Sequence, residues 1–547
     1  MYQEIAQKII SIVRELYALD VSVELTVPEE QFGDYATNVA LQISKQLGKN
    51  PREVADEVVQ RLDHSSIASA EVAGPGFINI TLKDAALLSR AEQSPQQGRG
   101  GATVVIETNN PNPFKAMHIG HAFNAIVADA LANLIENDGA RTYRVSYHGD
   151  VGLHVGRSMY SLLKYVNGDA GKLDSIPPAE RNSFMSRMYA EGSKAYKTDA
   201  QAKAEIEELT KQSFTREDPL YAEVYDMCLE WSFADIDAAV ERLGNKPIVK
   251  RFLESEAEYR GVEIVKKNVP SVFQESDGAL IFKGSEHGSF DNVFVSARGT
   301  GLYAARDLGL IKLKNEQYHP DKSYIVTAEE QRAYFKGVLA AADACMPEAK
   351  GVTVNIPTGT VKLATGKMSS RDGDVIEIAW LFEQIEEAIR KRGGSVDQAV
   401  VAGALRYEFL RVRIGGDVVF DINEAVSVEG NSGPYLQYAH ARACSILKKG
   451  PQENAGSDDT ALEPGERSMV RKLGEYSTAV ERASAELAPH QVCTYLYELC
   501  QAFNRFYEHN KVLGSDREDI RLKIVRLYAG VLKNGLELLG MEAPERM

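Results

Sequence analysis

The sequence has 547 residues, with 62 Lys and Arg against 78 Asp and Glu, and five cysteines. This length predicts three or four domains, and the net charge of −16 argues against a protein that coats nucleic acid nonspecifically, although it allows one local basic face. No apolar run is long enough to predict a membrane span, and the scattered cysteines argue against a disulfide framework. We therefore expect a cytoplasmic protein without membrane contacts.

Residues 1–84 are predicted to form a small α+β domain. The periodic segments lie, in chain order, at 4–17 (helix), 21–27 (strand), 38–49 (helix), 51–62 (helix) and 76–82 (strand). Asn50 followed by Pro51 is typical of a helix start. The stretch 85–100 ends rich in Gln, Gly and Pro, which predicts a linker.

Residues 101–395 show the alternation of an α/β domain. The predicted strands lie at 103–108, 143–150, 294–297, 323–328 and 352–356. A helix over about 118–137 joins the first two strands in a β-α-β unit, which implies a parallel sheet. Because residues 155–285 are polar and helical in pattern, we expect a Rossmann-like sheet that is split by a helical insertion.

Residues 396–547 contain no convincing strand pattern. Five amphipathic helical segments predict an all-α domain, interrupted by a long polar loop at 451–466. The predicted fold is therefore multidomain α/β: a small N-terminal α+β domain, a domain with a Rossmann-like parallel sheet and a helical insertion, and a C-terminal all-α bundle.

The first candidate functional motif is His118-Ile119-Gly120-His121, at a predicted strand-loop-helix junction. A helix N-terminus favours phosphate, and two imidazoles one turn apart share a face that can stabilise a phosphoryl or adenylyl transition state. Gly120 leaves room for a base or ribose against the backbone. These four residues alone are equally compatible with incidental histidines at a helix start, and less so with zinc, since no further ligand is near.

The second motif is a loop of small residues and cations at 366–373, GKMSSRDG. Lys367 and Arg371 on such a loop could close over a triphosphate and neutralise the departing pyrophosphate. A solvated turn is the simpler interpretation of so short a stretch by itself.

Together, the motifs HIGH and KMSSR resemble those of class I aminoacyl-tRNA synthetases. Longer strings resemble the arginyl-tRNA synthetase family in particular, at 33–55, 73–80, 302–309, 429–442, 503–510 and 538–547. The resemblance implies a ligase that converts arginine and ATP to arginyl-adenylate and pyrophosphate, then loads the terminal adenosine of tRNA(Arg). It also implies Mg²⁺ carried on ATP, no metal held tightly by the protein, and a monomer.

The resemblance assigns the ATP site to both motifs. Its implied residues are His118, Gly120, His121, Lys367, Met368 and Ser369. The catalytic residues would be His118, His121 and Lys367, joined by Lys115. The family motif has a second lysine where this chain has Ser370, so Lys115 would supply the missing charge, with Arg371 as the alternative.

The resemblance also implies an arginine site and two tRNA contacts. The implied arginine residues are Glu107, Asn112, His118, Tyr303, Asp307 and Gln331. Asp307 and Tyr303 would hold the guanidinium, and Glu329 or Glu330 could take the place of Gln331. The implied tRNA residues are Phe77, Asn79, Tyr438 and Arg442, although Phe77 is equally interpretable as a core residue.

Two rival functions remain to be weighed. A shorter nucleotidyltransferase that shares the HIGH motif is disfavoured by the length of this chain. A noncatalytic tRNA-binding paralogue is disfavoured because His118, His121 and Lys367 are all present.

Overall fold

The structure, a computed structural model, describes residues 2–364, 376–451 and 461–547. Its first part is an antiparallel sheet of three strands with helices packed against it. The elements are α1 (Tyr2–Tyr17), β1 (Tyr35–Thr37), α2 (Val39–Leu47), α3 (Pro51–Val59), β2 (Ile67–Ala73), β3 (Phe77–Leu82) and α4 (Asp84–Ala91). The strand order is β1-β3-β2.

Local sequence signals placed α1, α2, α3 and β3 correctly, whereas β1, β2 and α4 were not predicted, and α4 lies in the stretch predicted as a linker (85–100). Helix α3 begins as predicted, because the Asn50 side chain accepts the backbone N–H of Arg52 at 2.9 Å. The strand predicted at 21–27 is wrong: Thr26 forms a single β-bridge with Ala36, and the rest of the segment pairs with no strand. Leu25 is nevertheless buried. The alternation of apolar and polar residues at 21–27 therefore arises because one face of an extended segment is buried, and apart from the bridge at Thr26 the segment is not paired with a neighbouring strand.

The second part is built on a five-stranded parallel sheet, as predicted. Its elements are β4 (Thr103–Glu107), α5 (Ile119–Asn137), β5 (Arg141–His148), α6 (Leu153–Val166), α7 (Arg181–Thr198), α8 (Ala200–Thr215), α9 (Pro219–Arg242), β6 (Lys250–Leu253), α10 (Glu254–Lys267), β7 (Gln274–Ser276), β8 (Ala279–Phe282), β9 (Asn292–Val295), α11 (Tyr303–Tyr318), β10 (Lys322–Ala328), α12 (Arg332–Cys345), β11 (Thr353–Thr358), β12 (Val361–Leu363) and α13 (Ile378–Lys391). The strand order is β11-β10-β4-β5-β6.

Two predictions about this sheet need correction. Strand β6 lies inside the segment predicted as an insertion (155–285), so the helical interruption ends earlier than predicted. Its short sequence KRFL gave no strand signal, because a polar strand is tolerated at a sheet edge. The strand predicted at 294–297 overlaps β9, which belongs to a separate antiparallel sheet of order β7-β8-β9. A short run of β-forming residues does not specify its partner.

The third part is helical, as predicted. Its elements are α14 (Gln398–Leu410), β13 (Val418–Phe420), α15 (Ile422–Ala425), α16 (Gly433–Lys449), α17 (Pro464–Leu473), α18 (Tyr476–Ala485), α19 (Pro489–His509) and α20 (Glu518–Leu538). The prediction that no strand follows residue 396 is wrong, because β13 pairs in parallel with β12. Among the described residues, no helix combines the length and the apolar character that crossing a membrane requires.

Helix α5 links the α/β part to the helical part. The guanidinium of Arg406 on α14 is fully buried and donates to the Asp129 carboxylate on α5 at 2.7 Å. It also donates to the carbonyl of Leu539 at 2.7 Å, beside Gly540, where a Cβ atom would lie 2.0 Å from the Arg406 side chain. A buried charge pair and close backbone packing therefore anchor α5, the helix that begins at the first motif.

Candidate active site

A cleft of about 820 Å³ lies at the carboxyl ends of the parallel strands. This is the usual position of ligand sites in open α/β sheets. It is lined by nine of the residues predicted from the sequence or the resemblance: Glu107, Asn112, Lys115, His118, Gly120, His121, Tyr303, Asp307 and Gln331. Lys367, Met368 and Ser369 lie outside the described residues, as do Ser370 and Arg371. The structure thus brings together residues that are separated by more than two hundred positions in the chain.

His118 and His121 cap the start of α5 reciprocally. The backbone N–H of His121 donates to His118 Nδ1 at 3.3 Å, and the N–H of His118 donates to His121 Nδ1 at 3.4 Å. The rings stack with centroids 3.5 Å apart. Because both Nδ1 atoms accept hydrogen bonds, a neutral imidazole at either position carries its proton on Nε2. The pair can therefore donate two N–H groups to an anion at the helix N-terminus.

Burial keeps this histidine pair neutral. It lowers the pKa of His118 to about 4, and the charge of Lys115 contributes to the same shift. The pKa of His121 is lowered well below its ordinary value by burial, then by His118 and Lys115. Among the described residues, the positive charge on this side of the cleft therefore comes from Lys115 and not from the imidazoles.

The first motif is also tied to the chain that follows the second motif. The N–H of Ile119 donates to the carbonyl of Ile376 at 2.9 Å, and the N–H of Ile378 donates to the carbonyl of Met117 at 3.0 Å. A Cβ atom on Gly120 would lie 3.2 Å from the His118 ring, so a larger residue would press on that ring. The described segment that begins at Ile376 thus starts beside the histidine pair.

Glu107 closes β4 as a buried, fully engaged carboxylate. One oxygen accepts a hydrogen bond from the ammonium of Lys314, which is itself fully buried, and the other accepts from Asn110 at 2.7 Å. The residue lines the cleft, but its charge is already compensated by Lys314. This ion pair connects the end of β4 to α11.

Asp307, like Glu330, is a cleft carboxylate that forms no ion pair with a described residue, whereas Glu107 and Glu254 are paired. Its side chain accepts the hydroxyl of Tyr334. Burial raises the pKa of Asp307 to about 7, and the carboxylates of Glu254 and Glu107 add to this rise. Tyr303 lies one helical turn before Asp307 and is 70% exposed, so it is not a core residue. A cation that entered the cleft would pair with Asp307 and favour its ionised form.

The remaining predicted arginine residues occupy the cleft rim. Asn112 Oδ1 accepts the backbone N–H of Gly149 at 3.0 Å. Gln331 and Glu330 both line the cleft, whereas Glu329 does not and instead pairs with Arg332 at 2.6 Å on the surface. The geometry therefore disfavours Glu329 and leaves both Glu330 and Gln331 available to a ligand.

Phe77 and Asn79 share the outer face of β3. Phe77 is 41% exposed and Asn79 is partly exposed, while Ile78 and Ile80 between and beyond them are buried. The interpretation of Phe77 as a core residue is therefore wrong. An exposed aromatic ring beside an amide is a surface on which an unpaired base could stack and form hydrogen bonds.

In the helical part, Tyr438 and Arg442 lie one turn apart on α16 and both are exposed. The guanidinium of Arg442 lies 4.8 Å from the centre of the Tyr507 ring. Phe503, in contrast, is buried and stacks on Tyr528 with ring centroids 3.8 Å apart. Burial thus separates core aromatics from those open to a partner.

Models of three known families together match nearly all of the chain. The arginyl-tRNA synthetase N-terminal domain matches residues 1–82, and the catalytic domain of class I (R) tRNA synthetases matches residues 83–399. The chain belongs to the class I arginyl-tRNA synthetase family. The DALR anticodon-binding domain matches residues 436–547 of this family member.

Individual relatives agree with the family match. The arginine–tRNA ligase of Thermobifida fusca is 29% identical over 94% of each chain, and that of Phocaeicola vulgatus is 27% identical over 100% of this chain and 99% of its own. The solved structure of Thermus thermophilus arginyl-tRNA synthetase superposes with a TM-score of 0.82 over the full length of both chains, at 23% identity. This last likeness shows the shared fold.

Sequence reasoning missed several cleft residues of this arginyl-tRNA synthetase family member, among them Tyr147, Glu254 and Tyr334. It also missed Lys314, the partner of Glu107. Tyr147 stands at the carboxyl end of a predicted strand, a position that commonly faces a ligand. Lys314 follows Asp307 at helical spacing on the buried face of α11, so a buried ion pair could have been suspected there. Glu254 and Tyr334 gave no comparable signal.

Proposed function

We propose that the protein activates arginine with ATP to form arginyl-adenylate and pyrophosphate, and then transfers arginine to the 3′-terminal adenosine of tRNA(Arg). The observation that carries this proposal is one cleft with two complementary ends. Nε2–H donors at the start of α5 suit phosphate, and Asp307, without a cationic partner in the described chain, suits a guanidinium. The family match and the ligase relatives support the same reaction.

Class I synthetases use ATP, and the start of α5 fits its phosphates. Neutral imidazoles at His118 and His121 would donate Nε2–H groups to phosphate oxygens, and Lys115 would add positive charge as the α–β bond breaks. The arginine carboxylate attacks the α-phosphorus in line, and the adenylate forms without a covalent enzyme intermediate. We propose that ATP enters as its Mg²⁺ complex, because triphosphate oxygens are hard ligands that suit this cation. Lys367, Met368 and Ser369 would contact the same phosphates.

Arginine would lie across the cleft with its guanidinium toward α11. Asp307 would accept two of the guanidinium N–H groups, and the exposed ring of Tyr303 would cover one face of the guanidinium. Asn112 Oδ1 keeps a second lone pair beyond the one used by Gly149, and it could accept from the α-amino group. Gln331 would contribute a further polar contact at the rim.

We propose the domain division 1–84, a linker at 85–100 whose first half is helix α4, a catalytic domain at 101–395 and a helical anticodon-binding domain at 396–547. Phe77 and Asn79 would receive an unpaired tRNA base. Tyr438 and Arg442 would contact the anticodon. A monomeric protein in the cytoplasm is the simplest form for this activity, and five unpaired cysteines suit a reducing compartment.

The test is ATP–pyrophosphate exchange with each amino acid in turn, with and without tRNA. We expect arginine to support exchange and the other amino acids, including lysine, to fail. Exchange driven by a different amino acid, or no exchange with arginine even when tRNA is present, would contradict the proposal.

A further inference from the structure

Tyr147 places a buried hydroxyl at the wall of the candidate arginine site. The residue lies at the carboxyl end of β5, and its backbone N–H is fixed by Asn110 Oδ1 at 2.9 Å. The residue is part of the cleft lining. The hydroxyl oxygen is shielded from solvent, and no group within the described part of the chain forms a hydrogen bond with it.

A buried hydroxyl without a partner is unusual, because it has lost its hydrogen bonds to water without gaining others. Phenylalanine would fill the same space without this cost. Such a group at a cleft wall is explained most simply when a bound ligand supplies the missing partner.

The charges around Tyr147 indicate what kind of ligand this is. Burial raises the pKa of its phenol well above the ordinary value, and the negative charges of Asp307 and Glu254 raise it further, so the hydroxyl stays protonated. Glu254 is paired with Arg306 at 2.8 Å, and Arg306 also binds Glu258 at 3.0 Å. Asp307 is the nearby carboxylate left without a cation in the described chain, which favours a positively charged occupant.

A guanidinium carries five N–H donors and no acceptor, so it needs more acceptors than one carboxylate can offer. Two other carboxylates near Asp307 already have a cationic partner. Glu107 pairs with Lys314 and also accepts a hydrogen bond from Asn110, and Glu254 pairs with Arg306. The phenol oxygen of Tyr147 is a buried acceptor in the cleft lining that no described group uses.

We propose that Tyr147 is a specificity-determining residue of the arginine site, whose hydroxyl oxygen accepts one N–H of the guanidinium that Asp307 binds. This inference rests on the proposed function, since it takes arginine as the occupant of the cleft. It adds to the site a residue from β5 whose phenol lies close enough to Asp307 to be influenced by its charge.

The test is Tyr147→Phe in the full-length protein, with Tyr143→Phe as the matched control. Tyr143 lies on the same strand, packs against Tyr318 with ring centroids 4.6 Å apart, and does not line the cleft. In ATP–pyrophosphate exchange, Tyr147→Phe should raise the arginine KM about tenfold or more, as expected for a lost hydrogen bond to a charged group. The KM for ATP should stay within twofold, and Tyr143→Phe should change neither.

A second readout is thermal unfolding of both variants and the wild type, with and without arginine. Tyr147→Phe should melt at or above the wild-type temperature without arginine, since the unpartnered hydroxyl is gone, and arginine should raise its melting temperature less than that of the wild type. A purely structural hydroxyl would instead lower the melting temperature of the free protein and leave the arginine effect intact.

The outcomes separate this inference from the proposed function. If the wild type neither exchanges with arginine nor is stabilised by it, the proposed function fails. If the wild type responds to arginine and Tyr147→Phe responds equally, with an unchanged KM, the function survives and the assignment of Tyr147 is overturned. A lower melting temperature for unliganded Tyr147→Phe would also overturn it.

Discussion

Asp307→Asn replaces one carboxylate oxygen of residue 307 with an NH2 group and so removes the negative charge. The side chain keeps its shape, and its remaining oxygen can still accept the hydroxyl of Tyr334. In the unliganded protein, burial and the carboxylates of Glu254 and Glu107 raise the pKa of Asp307 from 3.8 to about 7. This rise corresponds to about 4 kcal/mol of disfavoured ionisation. A guanidinium that binds in the cleft would offset that cost. Arginine binding would therefore favour ionisation of Asp307, and ionisation of Asp307 would strengthen arginine binding.

Breaking a buried charge pair by removing one partner costs about 3–5 kcal/mol. Asp307→Asn should therefore raise the arginine KM by about a hundredfold or more, and the KM for ATP should change little. Wild-type arginine KM should also rise about tenfold for each pH unit below 7, because protonation of Asp307 removes the same charge. In the asparagine variant, this part of the pH dependence should be absent.

The effect on stability has the opposite sign. Because the folded state binds the Asp307 proton more tightly than the unfolded chain does, this residue makes the unliganded protein less stable as pH rises from about 4 to about 7. Above pH 7, unliganded Asp307→Asn should therefore be at least as stable as the wild type. The assays are exchange kinetics between pH 5.5 and 8 and chemical unfolding without ligand. An arginine KM that stays constant from pH 5.5 to 7.5, or equal losses for arginine and ATP, would refute this reasoning.

Three further variants test the rest of the site. His118→Ala should slow adenylate formation in exchange assays by about 10²–10³, the usual effect of losing one preorganised donor; a rate near that of the wild type would remove His118 from the mechanism. Lys115→Ala should lower kcat, and adding Ser370→Lys should partly restore it, because both lysines would stabilise the same transition-state charge. Strictly additive effects in the double variant would show that Lys115 has a different role. Phe77→Ala should raise the tRNA KM in charging assays about tenfold and leave exchange at saturating tRNA unchanged. Phe32→Ala, at an exposed aromatic of the same domain, is its control, and an equal effect of both would contradict base stacking at Phe77.

The sequence predicted those helices and strands that are specified by residues within the element itself. The start of α5 at the histidine motif, the cap at Asn50 and the sheet strands β4, β5, β10 and β11 follow from residue spacing within each segment. Partner choice does not follow from such spacing. The strand predicted at 294–297 joined another sheet, β6 was too short and polar to be noticed, and the 21–27 segment buries one face without a ladder.

In the candidate site, likewise, some residues were predictable from the sequence and their interaction partners were not. The structure places the described residues that the resemblance assigned to ATP and arginine around one cleft. The side chains that set their charge come from distant positions: Lys314 neutralises Glu107 across 207 residues of chain, and Tyr334 binds Asp307 from the next helix. The end of a predicted strand marks Tyr147 as a possible cleft residue, but the lack of a partner for its hydroxyl among the described residues is a property of packing and has no sequence pattern.

The most direct test of the central claim is transfer of labelled arginine to tRNA. The purified protein is incubated with ATP, Mg²⁺, total tRNA and labelled arginine, and the acid-precipitable label is measured before and after treatment with mild alkali. The account predicts ATP-dependent, alkali-labile label on tRNA with arginine and none with labelled lysine. A protein that binds arginine and tRNA but transfers no label, or that transfers lysine equally well, would contradict it.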